Sequence, residues 1–122
     1  MQHFSNSHFL IGSETAAHNN RLMRIVAVTA CPTGIAHTYM AAERLAEAAR
    51  KLRHAIKVET QGALGIENEL SQADIDAAEV AILATDIAIE RPARFVRIRK
   101  VRVPVQDALK DPVAVLLQAQ AT

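Results

Sequence analysis

The chain contains one cysteine, Cys31, in the run Cys31-Pro32-Thr33-Gly34-Ile35-Ala36-His37-Thr38. A thiolate is a strong nucleophile, and backbone N–H groups in a glycine-bearing turn, with hydroxyl and imidazole side chains, are groups that hold an anion. These residue types together suit nucleophilic attack by Cys31 followed by retention of an anionic adduct, a phosphoryl group above all. In that reading Pro32, Thr33, Gly34, Ile35, Ala36, His37 and Thr38 form the phosphoryl-binding loop. Thr33 and Thr38 supply hydroxyl donors, and His37 moves a proton, orients a phosphoryl oxygen or meets a partner. Each residue also has a plainer role. A lone cysteine is commonly a small buried hydrophobe, and threonine near a helix start is commonly a local cap. Position favours the chemical role, because Cys31 stands where a strand gives way to a helix.

The elements around it follow from periodicity. Ile25-Val26-Ala27-Val28 is a short continuous apolar run, the mark of a strand buried on both faces of a parallel sheet. After the cysteine turn, Ala41, Leu45, Ala48 and Leu52 recur at helical spacing, with Glu43, Arg44, Glu47, Arg50 and Lys51 on other faces. Further strands are expected over Ile56 to Thr60, Val80 to Leu83 and Val101 to Val105. Helical segments are expected after the Ser71-Gln72-Ala73-Asp74 capping box, from about Glu90, and from Asp111-Pro112. The alternation predicts an α/β fold: a doubly wound sheet of about four parallel strands, helices on both faces, and the cysteine loop after strand 1.

In such sheets ligands bind beyond the carboxyl ends of the strands, where loops enter helix amino termini. A helix dipole there is worth only ~0.3 to 1 kcal/mol, whereas turning a cysteine mostly into thiolate at neutral pH takes about 2.7 kcal/mol. Direct N–H bonds to sulfur must supply the remainder. The same N–H groups would then hold the phosphoryl oxygens.

Composition narrows the classes. A chain of 122 residues, half of them apolar, fits one compact domain. Fourteen basic and thirteen acidic residues leave a formal charge of +1, and with no tryptophan and one tyrosine the chain shows no nucleic-acid surface. No apolar run approaches the ~18 to 20 residues that cross a bilayer, so no direct membrane insertion is expected. One cysteine excludes an internal disulfide, paired-cysteine redox chemistry and a cysteine-only metal site; it fits a cytoplasmic location. No metal or cofactor is called for, and the glycine spacing matches neither a dinucleotide nor a Walker loop. Residues 1–22 lack both periodicity and a signal peptide's pattern. They are read as a disordered leader or tag, with the domain spanning 23–122.

The segment Val28-Thr29-Ala30-Cys31-Pro32-Thr33-Gly34-Ile35-Ala36-His37-Thr38-Tyr39-Met40-Ala41-Ala42-Glu43 closely resembles the signature of the fructose-specific enzyme IIB domain of the bacterial phosphoenolpyruvate-dependent sugar phosphotransferase system. The segments Lys57 to Gly62, Gly65 to Leu70 and Ala84-Thr85-Asp86 extend the resemblance in order, from Arg24 to about Ala119. The resemblance implies that Cys31 accepts phosphate from a phosphohistidine of the EIIA domain and passes it to sugar in the membrane EIIC domain, giving fructose 1-phosphate. It also implies work at the inner face of the cell membrane when docked to EIIC. Glu67, Asn68, Glu69 and Asp86 are possible partner contacts; a solvated loop or a helix cap would equally account for them. The Arg97-Ile98-Arg99-Lys100-Val101-Arg102 segment departs from the family by its positive charge. It is read as guarding an exposed sheet edge.

Two other classes remain open at this level. A low-molecular-weight tyrosine-phosphatase-like hydrolase also places a cysteine loop after its first strand, in the pattern Cys, five residues, Arg, then Ser or Thr. Here His37 and Thr38 occupy the last two places, so the bidentate arginine is missing. Its loss argues against efficient hydrolysis and suits a carrier. A non-catalytic regulatory binding module would use the same loop without accepting phosphate.

Overall fold

A computed structural model of the chain describes residues 22–32 and 35–121. The expected leader lies outside them except for Leu22. Five strands form one sheet: β1 (Arg24–Ala30), β2 (Ala55–Gly62), β3 (Gly65–Glu67), β4 (Val80–Thr85) and β5 (Lys100–Val103). Their order across the sheet is β3-β2-β1-β4-β5. β1 pairs in parallel with β2 and β4, and β4 in parallel with β5; β3 alone is antiparallel, against the end of β2. The four expected strands are the four parallel ones. The fifth is three residues long and lies in what the sequence reads as a loop.

Alternation divides the sheet into two faces. Ile25, Ala27, Ile56, Ile82, Val101 and Val103 meet α1 (Ile35–Lys51), α3 (Val105–Lys110) and α4 (Pro112–Gln120) in one apolar cluster. Val26, Val28, Ala81 and Leu83 meet Leu70, Ile75 of α2 (Gln72–Ala77) and Phe95 in a second. Central β1 is buried along almost its whole length. This is the burial that its unbroken apolar run requires.

Helix ends follow their capping residues. Ser71 accepts the Asp74 N–H at 3.0 Å while Asp74 accepts the Ser71 N–H at 3.0 Å, closing the expected box before α2. Asp111 caps α4 through the Ala114 N–H, with Pro112 in the first turn. At the other end of α1 the chain reverses through Arg53 in the left-handed region, φ 65°. Met23, the expected first domain residue, is buried and donates its N–H to His54 Nδ1 at 3.1 Å.

Two expectations are corrected here. Val105 starts α3 rather than ending a strand: Pro104 has no N–H for the ladder and serves as the helix N-cap. The helical stretch expected from Glu90 is one 3₁₀ turn, Pro92–Phe95. Among the described residues no helix is long and apolar enough to cross a membrane.

Candidate functional site

The carboxyl ends of β1, β2 and β4 coincide, with Ala30 in register with Gln61 on one side and Thr85 on the other. The next residue on the central strand is Cys31, and α1 begins at Ile35. The thiol therefore sits at the sheet's carboxyl edge, facing the start of a 17-residue helix. It is only 6% exposed and packs with the cluster beneath α1. The burial is what the plainer reading of a lone cysteine expects, and the place after β1 is the one expected of the cysteine loop.

Beside the thiol stands Asp86, the first residue after β4. Its Oδ2 lies 3.9 Å from Cys31 Sγ, within reach of a weak S–H donor. Its Oδ1 accepts the Val105 N–H at 3.1 Å, and its own N–H donates to Ala30 O at 3.2 Å. Asp86 thus fastens the cysteine end of β1 to the start of α3 while presenting one free oxygen to the thiol.

Of the remaining loop residues, Thr33 and Gly34 lie outside the described residues, as does the side chain of Ile35. Pro32, Ala36 and His37 are exposed. Thr38 is buried, and its carbonyl accepts the Thr29 hydroxyl at 3.0 Å, tying α1 to β1. A side chain at Gly62 would come within 3.8 Å of Thr38 Oγ1, so β2 passes close to the helix start. In register with Thr29, Thr60 keeps a buried hydroxyl without a hydrogen bond.

The second predicted group is divided. Glu67 accepts a short hydrogen bond from Tyr39 Oη, which pins β3 to α1 and raises the Tyr39 pKa, first through that bond. Glu69 pairs with Arg91. Asn68 and Glu69 line a groove with Ala42, Ala46 and Lys57, along the outer side of α1 and β2. Only Asp86 of the four meets the thiol.

Sequence reasoning missed a buried polar cluster on the α2 face. Glu59 is fully buried, and Arg94 donates to both its oxygens, Nη1 to Oε1 at 2.7 Å and Nη2 to Oε2 at 3.1 Å. The Leu70 N–H adds a bond at 2.8 Å and Gln61 Nε2 another at 2.6 Å. Burial opposes the charged carboxylate, yet these bonds and the Arg94 charge outweigh it and hold the Glu59 pKa below its ordinary value. One signal was available: alternation puts Lys57, Glu59 and Gln61 on one side of a strand that the topology places inside the sheet. A carboxylate there must find a partner.

Comparison with known proteins gives consistent results. Residues 26–118 match the family model described as PTS system, Lactose/Cellobiose specific IIB subunit. The chain is 47% identical over 100 residues to the PTS system fructose-like EIIB component 2 of Escherichia coli, covering 82% of this chain and 94% of that protein. It is 50% identical over 91 residues to the Fructose-like PTS system EIIBC component of E. coli, covering 73% of this chain and 19% of that protein. Among solved structures, a domain of the fructose-specific IIABC component of Borrelia burgdorferi superposes with a TM-score of 0.77 at 41% identity, over 81% of this chain and 94% of that domain.

Proposed function

The chain belongs to the IIB family of the sugar phosphotransferase system, and we propose that within this role Cys31 is the residue that carries the phosphoryl group. The observation that carries the proposal is position: the chain's one cysteine closes the central strand at the carboxyl edge of the sheet, before the amino terminus of α1.

The steps balance as follows. Cys31 Sγ, having lost its proton, attacks the phosphorus of a phosphohistidine on an EIIA domain; the S–P bond forms as the N–P bond breaks, and the ring takes up one proton to leave as neutral imidazole, balancing the one that Cys31 released. In the second step a sugar hydroxyl held by EIIC attacks the same phosphorus. The O–P bond forms, the S–P bond breaks with its electron pair staying on sulfur as thiolate, and the hydroxyl proton passes to solvent. With fructose as acceptor the product is fructose 1-phosphate. The fructose-like names of the relatives support that sugar, and the EIIBC relative supports an EIIC partner. Pro32 to Thr38 is the proposed phosphoryl-binding loop, and 23–122 the proposed domain.

One feature favours a carrier over a hydrolase. His37 occupies the place of the phosphatase arginine, so the loop itself lacks the guanidinium that would stabilise attack by water. Asp86 places a carboxylate beside the sulfur, where it repels a phosphoryl dianion and shortens the life of the adduct whichever acceptor takes it.

The test is intact-protein mass after incubation with phosphoenolpyruvate, the general phosphotransfer proteins and a fructose-type EIIA domain, for wild type and Cys31→Ser. A gain of one phosphoryl group in wild type alone is expected. No adduct, with the donor shown active on a known acceptor, would overturn the proposal, as would equal phosphorylation of the serine variant.

A further inference from the structure

After Thr85 the chain leaves β4, and at Glu90 it is hydrogen-bonded to Gln61 at the end of β2. Because β1 lies between β4 and β2, the intervening residues must cross the carboxyl end of β1. Two strand spacings are roughly 10 Å, well within the reach of five residues at ~3.3 Å each. That end is where Cys31 begins. Segment 86–90 is thus a strap across the strand ends, with Asp86 at the thiol on the β4 side, Ile89 packed on the α2-face cluster and Glu90 fastened on the β2 side.

The far fastening is made by two side chains, Gln61 and Arg94, and Gln61 alone holds both the N–H and the carbonyl of Glu90. Gln61 Oε1 accepts the Glu90 N–H at 2.8 Å and Gln61 Nε2 donates to the Glu90 carbonyl at 3.3 Å, so a carboxamide makes both bonds of a strand rung to a backbone peptide. Its orientation is dictated from below. Glu59 offers only acceptors, so Nε2 must face it, at 2.6 Å, which leaves Oε1 for the Glu90 N–H. Arg94 locks Glu59 and also takes the carbonyls of Glu90 and Arg91, at 3.0 and 2.9 Å. Support reaches the strap by two routes, from Arg94 directly to the Glu90 carbonyl and from Arg94 through Glu59 and Gln61 to both polar groups of Glu90; only the second holds its N–H. The phosphoryl chemistry above uses none of these groups, and apolar side chains could fill the same sheet face without burying an ion pair.

We propose that Gln61 is a positioning residue that holds segment 86–90 as the fixed wall of the Cys31 mouth, against which the phosphohistidine donor domain docks. The docking half of this inference rests on the reading of Cys31 as phosphoryl acceptor. The mechanical half does not. Cys31 is nearly buried, so a donor histidine reaches Sγ only by fitting the rim, and Ile87, an exposed apolar residue, stands on the strap as part of it.

Gln61→Met removes both rungs while leaving Glu59 with Arg94 and the Leu70 N–H. Two readouts are needed: steady-state transfer from the EIIA donor, and alkylation of the chain's one thiol by iodoacetamide, which requires no partner. Expected are a KM for the donor raised roughly tenfold with kcat little changed, and faster alkylation of Cys31 in a variant that still unfolds cooperatively. Gln61→Asn keeps the carboxamide but is one methylene short; it should move both readouts in the same direction if the methionine variant does not fold. Unchanged KM and alkylation in a folded variant would overturn the proposal, as would a fall in kcat at constant KM. If wild type accepts no phosphoryl group, the docking half is overturned with the reading of Cys31, and alkylation alone decides whether Gln61 holds the wall.

Discussion

Asp86 has two oxygens with different duties, and this makes its charge separable from its structural work. Oδ1 caps the first N–H of α3, a bond that any acceptor of the same shape can make; Oδ2 faces the thiol. Asp86→Asn keeps the cap and removes the charge, so thermal stability should change little. Two unit charges about 4 Å apart in water repel by about 1 kcal/mol, which is roughly a factor of 5 in a rate or an equilibrium. The exposed position of Asp86 keeps the effect near that lower bound rather than the buried one. The phosphocysteine of the asparagine variant should therefore persist roughly fivefold longer before passing to an acceptor, followed by loss of the adduct in intact-protein mass spectra. An equal or shorter lifetime would remove Asp86 from the mechanism. At this scale Cys31 was legible because a lone cysteine beside proline and glycine stands out. Its contact with Asp86 was not: the two are 55 residues apart, and only the pairing of β1 with β4 makes them neighbours.

Among the elements, β2 carries the largest electrostatic commitment. Burial pushes Glu59 towards its neutral form, but Arg94, the Leu70 N–H and Gln61 prevail and lower its pKa from the ordinary 4.5. Asp74 behaves alike: desolvation raises its pKa, and the Lys57 bond at 2.9 Å with the Ser71 cap outweighs it, so its pKa falls below the ordinary 3.8. Both groups are more acidic folded than unfolded. Their stabilisation is complete above the unfolded values and is lost as pH falls through the folded ones. The melting temperature should hold from pH 7 to about 5 and decline below about 4.5. Glu59→Gln should cost about 3 to 5 kcal/mol at pH 7, because it strands the Arg94 charge, and should flatten the acid slope. Melts of both proteins from pH 3 to 7 test this; parallel slopes would show that Glu59 contributes nothing to acid sensitivity. The same strand marks where sequence reading stopped. Lys57, Glu59 and Gln61 at period two look like a solvated face, and their partners come from α2, the loop at Leu70 and the 3₁₀ turn, which carry no periodic signal. β3 was hidden for a related reason: three residues cannot display a period.

The molecule as a whole must keep an open sheet from pairing with other chains. Where one edge nears the mouth, antiparallel β3 covers the end of β2 and Tyr39 ties it to α1. The other edge, β5, is only four residues long, with Val101 and Val103 turned into the core and Lys100 and Arg102 turned out. Lys100 Nζ folds back onto the carbonyls of Phe95 and Ile98 at 2.7 and 3.0 Å, and Arg99 reaches the Ala119 carbonyl at 2.5 Å. Of the basic residues that set this segment apart in the sequence, Lys100 and Arg102 lie on the outermost strand, where an edge guard would stand, and Arg97 and Arg99 precede it. With Lys100 and Arg102 both replaced by valine, β5 would read as four consecutive valines between Arg99 and Pro104, an edge suited to pairing with a second copy. The inward valines are untouched, so the monomer should still fold and its phosphoryl acceptance at Cys31, on the central strand, should survive at low concentration. Light scattering should show association that rises with protein concentration in the double variant and not in wild type. A variant that stays monomeric would mean that the shortness of β5 and the proline after it suffice to block pairing, and the charges would then need another explanation.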